Sequence, residues 1–100
     1  MNVLEWLSEW FKSNCNGDWE HCFVIKIETL DNPGWAITID LEDTELEDEY
    51  FEEIKEVNSD TDWMFCKVQK NKFLAYGDPD KLTKMLEIFK TWQQKIDNKK

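Results

Sequence analysis

The stretch "CFVIKIETLDNPGWAITIDL", residues 22–41, decides the fold. Its first half alternates Phe23, Ile25 and Ile27 with other residues, and its second half, "WAITIDL", repeats the same alternation. A period of two is typical of a strand that buries one face. Because a Pro-Gly turn joins the halves, the stretch predicts an antiparallel hairpin with a loop of about four residues.

Helical patterns lie at both ends of the chain. Residues 3–14 place apolar side chains at helical spacing, and Asn2 is the predicted N-cap. The stretch "DPDKLTKMLEIFKTWQQKI", residues 78–96, has the same spacing, with Asp78 as N-cap and Pro79 at the first helical position. The sequence therefore predicts an N-terminal helix and a C-terminal helix.

Between these helices, "WMFCKVQ" and "KFLAYG", residues 63–69 and 72–77, predict a second hairpin. Residues 44–58 fit either a helix or an irregular edge strand, and the pattern favours the strand. We therefore predict a single domain over residues 1–100 with an α+β fold. An antiparallel sheet of about five strands would be flanked by the N-terminal and C-terminal helices, packed on one face.

The negative charge is concentrated in the middle of the chain. The net charge is -10, and residues 40–62 hold twelve acidic residues and one lysine. Such a surface repels nucleic acid and anionic membranes, so we expect neither as a partner. The charge predicts a basic protein partner, which long-range attraction would steer toward this segment.

The chain lacks the motifs of common catalytic and cofactor sites. His21 and Cys22 are adjacent, and adjacent residues on a strand point to opposite faces. Three glycines offer no phosphate-binding loop. Calcium-loop frames starting at Asp40 and Asn58 place no glycine at the sixth position and no glutamate at the twelfth. We expect no enzymatic activity, no cofactor and no metal.

The sequence also predicts a cytoplasmic location. The N-terminal residues lack the basic and apolar regions of a signal peptide, and no run approaches the ~18 apolar residues of a membrane span. Three cysteines without metal-ligand spacing fit reduced thiols.

Six stretches together resemble the immunity protein 53 family of bacterial polymorphic toxin systems, and the resemblance runs over nearly the whole chain, from Leu4 to Trp92. They are "EWLSEWFKSNCNGDWEH", "IKIETLDNPGWAITIDL", "TELE", "DWMFCKV", "KFLAYGDPDKL" and "LEIFKTW". The resemblance implies a small cytoplasmic protein that binds and neutralises a cognate toxin domain, with no catalytic residues to assign. The acidic charge agrees with a basic target such as a nuclease.

The first candidate site combines the hairpin turn with the acidic segment. We hypothesise that they form one continuous surface, in which a tryptophan is the apolar anchor and carboxylates provide attraction. Toxin inhibition would then be occlusion of a cationic active site. The hypothesised surface consists of Trp35, Asp31, Asn32, Asp40, Glu42, Asp43, Glu45 and Glu47.

A second candidate site lies before the first strand. Trp19, Glu20 and His21 would line a concave site together with Trp63. Two other functions remain open: a small-ligand-binding domain and a self-assembling adaptor, both without catalytic activity. We expect a monomer or weak homodimer, because the charge of the middle strand opposes pairing with its own copy.

Overall fold

A computed structural model of the chain describes residues 1–99. The predicted α+β fold is confirmed: a five-stranded antiparallel sheet is accompanied by an N-terminal and a C-terminal helix. The described elements are α1 (Val3–Asn14), α2 (Trp19–Cys22), β1 (Ile25–Leu30), β2 (Gly34–Asp40), β3 (Ile54–Ser59), β4 (Asp62–Gln69), β5 (Lys72–Gly77) and α3 (Leu82–Asp97).

The strand order in the sheet is β1-β2-β5-β4-β3. The two predicted hairpins are β1–β2 and β4–β5, and their inner strands, β2 and β5, pair at the centre. Asn2 caps α1 as predicted, because it bonds reciprocally with Glu5. Strands β1 and β3 are the two edges.

The core lies between the sheet and the helices α1 and α3. Ile39 on β2 stands opposite Phe73 on β5, and both side chains are fully buried. Trp10 of α1 and Phe89 of α3 cover them, with ring centroids 5.1 Å apart. Burial of each such side chain contributes about 1.5–3 kcal/mol. The opposite face of the sheet carries the half-buried Trp63.

Residues 44–58 divide into two parts. The chain turns irregularly up to residue 53, and the strand predicted for this segment begins at Ile54. A helix is opposed by like charges four residues apart, as at Glu45, Glu49 and Glu53. In addition, the connection from β2 to β3 crosses three strand spacings, about 14 Å, so an extended path is needed.

The start of α3 differs from the prediction. The helix begins at Leu82 with Lys81 as N-cap, not with Asp78. Asp78 is instead fully buried and accepts hydrogen bonds from the backbone N–H groups of Trp63 and Asp80, both at 2.9 Å. The Lys81 ammonium donates to it at 2.6 Å. The bond from Lys81, together with the N–H bonds, lowers the pKa of Asp78 to about 2.

We predict that Asp78→Asn changes how stability depends on pH. The ordinary pKa of 3.8 applies in the unfolded chain and about 2 in the fold. The stabilising contribution is therefore complete above about pH 4 and is lost as the pH falls through about 2. The variant should be less stable at neutral pH, and its unfolding free energy should fall less steeply in this window.

Urea unfolding at a series of pH values measures this effect. Asp80→Asn is the matched control, because the Asp80 side chain is exposed. This control should keep the wild-type slope of unfolding free energy against pH. Equal slopes for Asp78→Asn and the wild type would contradict the role assigned to this carboxylate.

Candidate functional site

The acidic loop, residues 42–53, connects β2 to β3 and contains eight carboxylates and no lysine. Six of these acidic residues are exposed. Within residues 1–99, none of the six forms an ion pair. Their charges therefore produce a negative potential over one end of the sheet. The exposed acidic residues are Glu42, Asp43, Glu47, Asp48, Glu52 and Glu53.

Apolar side chains hold the acidic loop against the domain. Leu41, which precedes it, and Leu46 within it are both fully buried. Phe51 packs edge-on against Phe73 and Trp92, with ring centroids 5.5 and 5.2 Å away. These contacts lie five residues apart along the chain, so the residues between them can face solvent.

Glu45 is the carboxylate of the loop that faces inward. It accepts a hydrogen bond from the indole N–H of Trp10 at 2.6 Å and another from the amide of Gln93 at 2.8 Å. Because these donors belong to α1 and α3, Glu45 links both helices to the loop. Its role in the structure is to fix the loop, and its oxygen is already engaged.

Asp40, at the end of β2, is also turned inward. Its side chain accepts the backbone N–H of Val24 at 2.8 Å and forms an ion pair with Lys72. The residue is 5% exposed. Asp40 therefore joins β2 to the chain before β1 and to β5, and its charge is offset within the domain.

Two turns shape the acidic loop. Asp43 and Asp48 have φ angles of 62° and 60°, a region that Asp tolerates better than most residues. The backbone N–H of Asp48 donates to Asn71 at 2.9 Å, and the amide of Asn71 donates back to Asp48 at 3.1 Å. The loop is thus tied to the β4–β5 turn as well as to the core.

Tyr50 is the functional candidate that sequence reasoning missed. It lies between acidic residues of the loop and is 79% exposed. Its carbonyl accepts the indole N–H of Trp92 at 2.8 Å, so the backbone is fixed while the ring faces solvent. The sequence feature that could have indicated Tyr50 is an aromatic residue directly after three consecutive acidic residues. Asp48, Glu52 and Glu53 were missed with it.

A groove of about 480 Å³ runs between the acidic loop and α3. Phe51, Ile88 and Trp92 form its apolar wall, whereas Lys84 and Lys95 lie among its polar residues. The groove could hold an apolar side chain of a partner that contacts the loop. It extends the candidate surface from the carboxylates onto α3.

The structure separates Trp35 from the acidic loop. Trp35 lies at the start of β2, where its indole N–H donates to the Pro79 carbonyl at 3.1 Å. Asp40 is five residues further along the strand, about 17 Å away. Asp31 and Asn32 are exposed in the turn beside Trp35. The structure therefore places this turn and the acidic loop at opposite ends of β2, and a binding role for the turn stays a prediction.

The concave site expected around Trp19 and Trp63 is not formed either. Trp19 is 2% exposed, and its indole N–H donates to the Glu42 carbonyl at 3.0 Å. Trp63 lies on the sheet face away from the helices, with its ring 5.9 Å from that of Phe65. Trp19 thus supports the acidic loop from inside.

Glu20 and His21 lie in α2, not in a loop. The Glu20 carboxylate accepts the backbone N–H groups of Asn16 at 3.0 Å and Gly17 at 2.9 Å. The pKa of the Glu20 carboxyl is lowered by hydrogen bonds from backbone N–H groups. The largest effect comes from the N–H of Glu20 itself, and smaller ones come from those of Asn16 and Gly17. His21 and Cys22 are exposed neighbours on the helix, and adjacent helical residues do not face each other.

The family model of Immunity protein 53 matches residues 4–94. The chain belongs to the Immunity protein 53 family. The resemblance inferred from the sequence is thereby confirmed, and membership of this family supports a toxin-neutralising role. No curated protein and no solved structure matches the chain.

Two further observations concern this member of the Immunity protein 53 family. In residues 1–99, no helix is both long and apolar enough to cross a membrane. The same part of the chain contains no group of three or more His, Cys, Asp or Glu residues arranged to hold a metal ion.

We predict that Leu46→Ala destabilises the protein, whereas Glu47→Ala does not. Leu46 is fully buried beneath the acidic loop, and removal of such a side chain costs about 3 kcal/mol. Glu47 is exposed, so its replacement should change the free energy of unfolding by less than about 0.5 kcal/mol. Urea unfolding measures the free energy of unfolding of both variants. Equal effects would show that Leu46 does not anchor the loop.

Proposed function

We propose that the protein neutralises a cognate toxin domain with a basic surface, such as a nuclease, by covering its active site with the acidic loop. This is supported by six exposed carboxylates, none of which forms an ion pair within residues 1–99, on the same loop as the exposed ring of Tyr50. The protein would act in the cytoplasm, where it would meet the toxin before the toxin reached its substrate.

Charge supports this choice of surface. The exposed carboxylates lie on one loop, and the net charge of the whole chain is -10. A basic toxin would be attracted over a distance of about 10 Å at ordinary ionic strength. Complementary charge raises association rates steeply, and charges at the rim of an interface act mainly on this rate.

Tyr50 supports a stable complex once the partners meet. Tyrosine is among the residues that most often dominate binding energy when they are buried at the centre of an interface. Acidic residues lie on both sides of Tyr50, and the groove beside α3 starts at the neighbouring Phe51 and Glu52. Because buried contacts already fix the loop, binding would cost little ordering of the backbone.

The proposed contact set differs from the sequence hypothesis. Glu42, Asp43 and Glu47 remain in it, and Trp35 leaves it because that side chain lies at the other end of β2. Asp40 and Glu45 act from inside by holding the surface in place. The added contact residues are Asp48, Tyr50, Glu52 and Glu53.

The proposal predicts that reversing three exposed charges of the loop weakens toxin binding. The variant carries Glu42→Lys, Glu52→Lys and Glu53→Lys, which leave the internal hydrogen bonds of Glu45 intact. Titration calorimetry against the toxin domain encoded beside the gene should give a dissociation constant raised about a hundredfold at low salt. The association rate should also lose most of its dependence on salt.

A matched control reverses three charges outside the loop with the substitutions Asp31→Lys, Asp60→Lys and Asp80→Lys. These residues are exposed, and the control raises the net charge by the same amount as the loop variant. It should bind almost as tightly as the wild type. If the control lost binding and the loop variant kept it, the toxin surface would lie elsewhere, with the turn beside Trp35 as the first alternative.

A further inference from the structure

The two edges of the sheet differ in their readiness to accept another strand. The register of β3 shifts between Val57 and Ser59, whereas exposure does not distinguish the edges, since both strands are largely exposed. Strand β1 has an unbroken register from Ile25 to Leu30 and contains no proline. Within residues 1–99, β1 pairs with β2 alone. Irregularity and proline are common protections of edge strands, and β1 has neither. Charged side chains are a third protection, but Lys26 of β1 is paired with Glu28 of the same strand.

The backbone groups that face outward from β1 can be identified. The backbone N–H of Asp40 donates to the Val24 carbonyl at 3.1 Å. The direction of the backbone N–H and C=O groups alternates along an antiparallel strand. The backbone groups of the even-numbered residues of β1 therefore point toward β2. The outward N–H and C=O groups therefore belong to Ile25, Ile27 and Thr29.

Exposed apolar side chains surround this edge. Leu4 and Phe11 of α1 are 59% and 38% exposed, and Val24 and Ile27 are 53% and 38% exposed. They are four of the seven large hydrophobic residues that are exposed in the described chain. A groove of about 400 Å³ separates α1 from the start of β1. An unpaired edge beside uncovered apolar surface is the arrangement that strand addition requires.

We propose that this edge pairs with the same edge of a second copy, in antiparallel register centred on Ile27. In this register Ile27 stands opposite Ile27 of the second copy, and Ile25 stands opposite Thr29 of the second copy. These are the residues whose backbone groups point outward, so both kinds of pair exchange hydrogen bonds.

The charges of β1 fit the same register. Lys26 stands opposite Glu28 of the second copy, and Glu28 stands opposite Lys26 of the second copy. These are non-hydrogen-bonded pairs, in which side chains approach most closely. Lys26 and Glu28 already form a 3.4 Å ion pair within one chain on the sheet face away from the helices. The two copies would assemble a ring of four alternating charges across the seam.

The helices complete the interface. A two-fold axis perpendicular to the sheet keeps both helix layers on the same side, and Leu7 and Phe11 place α1 beside β1. The two copies of α1 then flank the seam and cover their exposed apolar residues. Five paired residues on each strand alone would make a small interface, so the contact between the α1 helices provides the remaining area toward the ~1,200 Å² of a stable one.

The result is a ten-stranded sheet. The acidic loop joins β2 to β3 and lies outside the seam, so both loops of the dimer stay exposed. The dimer therefore does not depend on the toxin-binding surface proposed above. Local charge balance at β1 permits this contact despite the repulsion between two acidic chains.

Sedimentation equilibrium of the wild type and three variants tests the proposal. Lys26→Glu and Glu28→Lys each replace both attractive pairs with like charges, so each should raise the dimer dissociation constant about tenfold. The double variant Lys26→Glu/Glu28→Lys restores opposite charges and should restore the wild-type constant. Lys55→Glu on the exposed edge strand β3 is the control and should leave it unchanged.

A wild type that stays monomeric throughout the micromolar range overturns the proposal, as does a dimer that the single reversals leave intact. Loss of dimer without rescue by the double variant overturns the register. Hydrogen exchange of the wild type gives an independent readout that needs no variant. The outward amides of Ile25, Ile27 and Thr29 should exchange more slowly as protein concentration rises, and those of β3 should not change.

Discussion

The Glu45 carboxylate joins three parts of the chain that are far apart in sequence. Trp10 of α1 and Gln93 of α3 both donate to it, so the two helices and the acidic loop share one hydrogen-bonded centre. A partly buried carboxylate without such donors would be costly, whereas one with charge-assisted bonds stabilises the groups around it. Leu46, the next residue, is fully buried and closes the core below this centre.

This internal anchoring explains how the domain tolerates its charge. Eight carboxylates on one short loop repel each other and would favour an open, mobile chain. Buried contacts from Leu41, Leu46 and Phe51 oppose that tendency. The indoles of Trp19 and Trp92 also donate to backbone carbonyls of the loop. The outcome is a surface whose charges are exposed and whose backbone is fixed. Such a surface suits a partner that must be captured quickly and held in one orientation.

The sequence predicted the regular parts of the fold because their apolar residues follow the period of a strand or a helix. The alternation in β1 and β2 and the stripe along α3 are clear examples. The acidic loop follows neither period, since Leu41, Leu46 and Phe51 are spaced by five residues. Asp78 was misassigned because a carboxylate before a helix can cap it or bind a preceding strand, and local sequence does not distinguish these roles.

The candidate site was predicted only in part. Charge density located the acidic loop, because charge is visible without a fold. Which carboxylates face inward depends on tertiary contacts, so Asp40 and Glu45 could not be separated from Glu42 or Glu47 in advance.

Binding of the toxin to the acidic loop can be tested through the tryptophan indoles. The indole N–H groups of Trp10, Trp19 and Trp92 all donate to residues 42–53, whereas that of Trp35 bonds at the far end of the sheet. A ¹⁵N-labelled sample titrated with the cognate toxin domain would report on each indole separately by NMR. If the toxin binds the acidic loop, the three loop-bonded indole signals should shift while the Trp35 signal stays unchanged. Movement of Trp35 with the other three unaffected would contradict binding at the acidic loop.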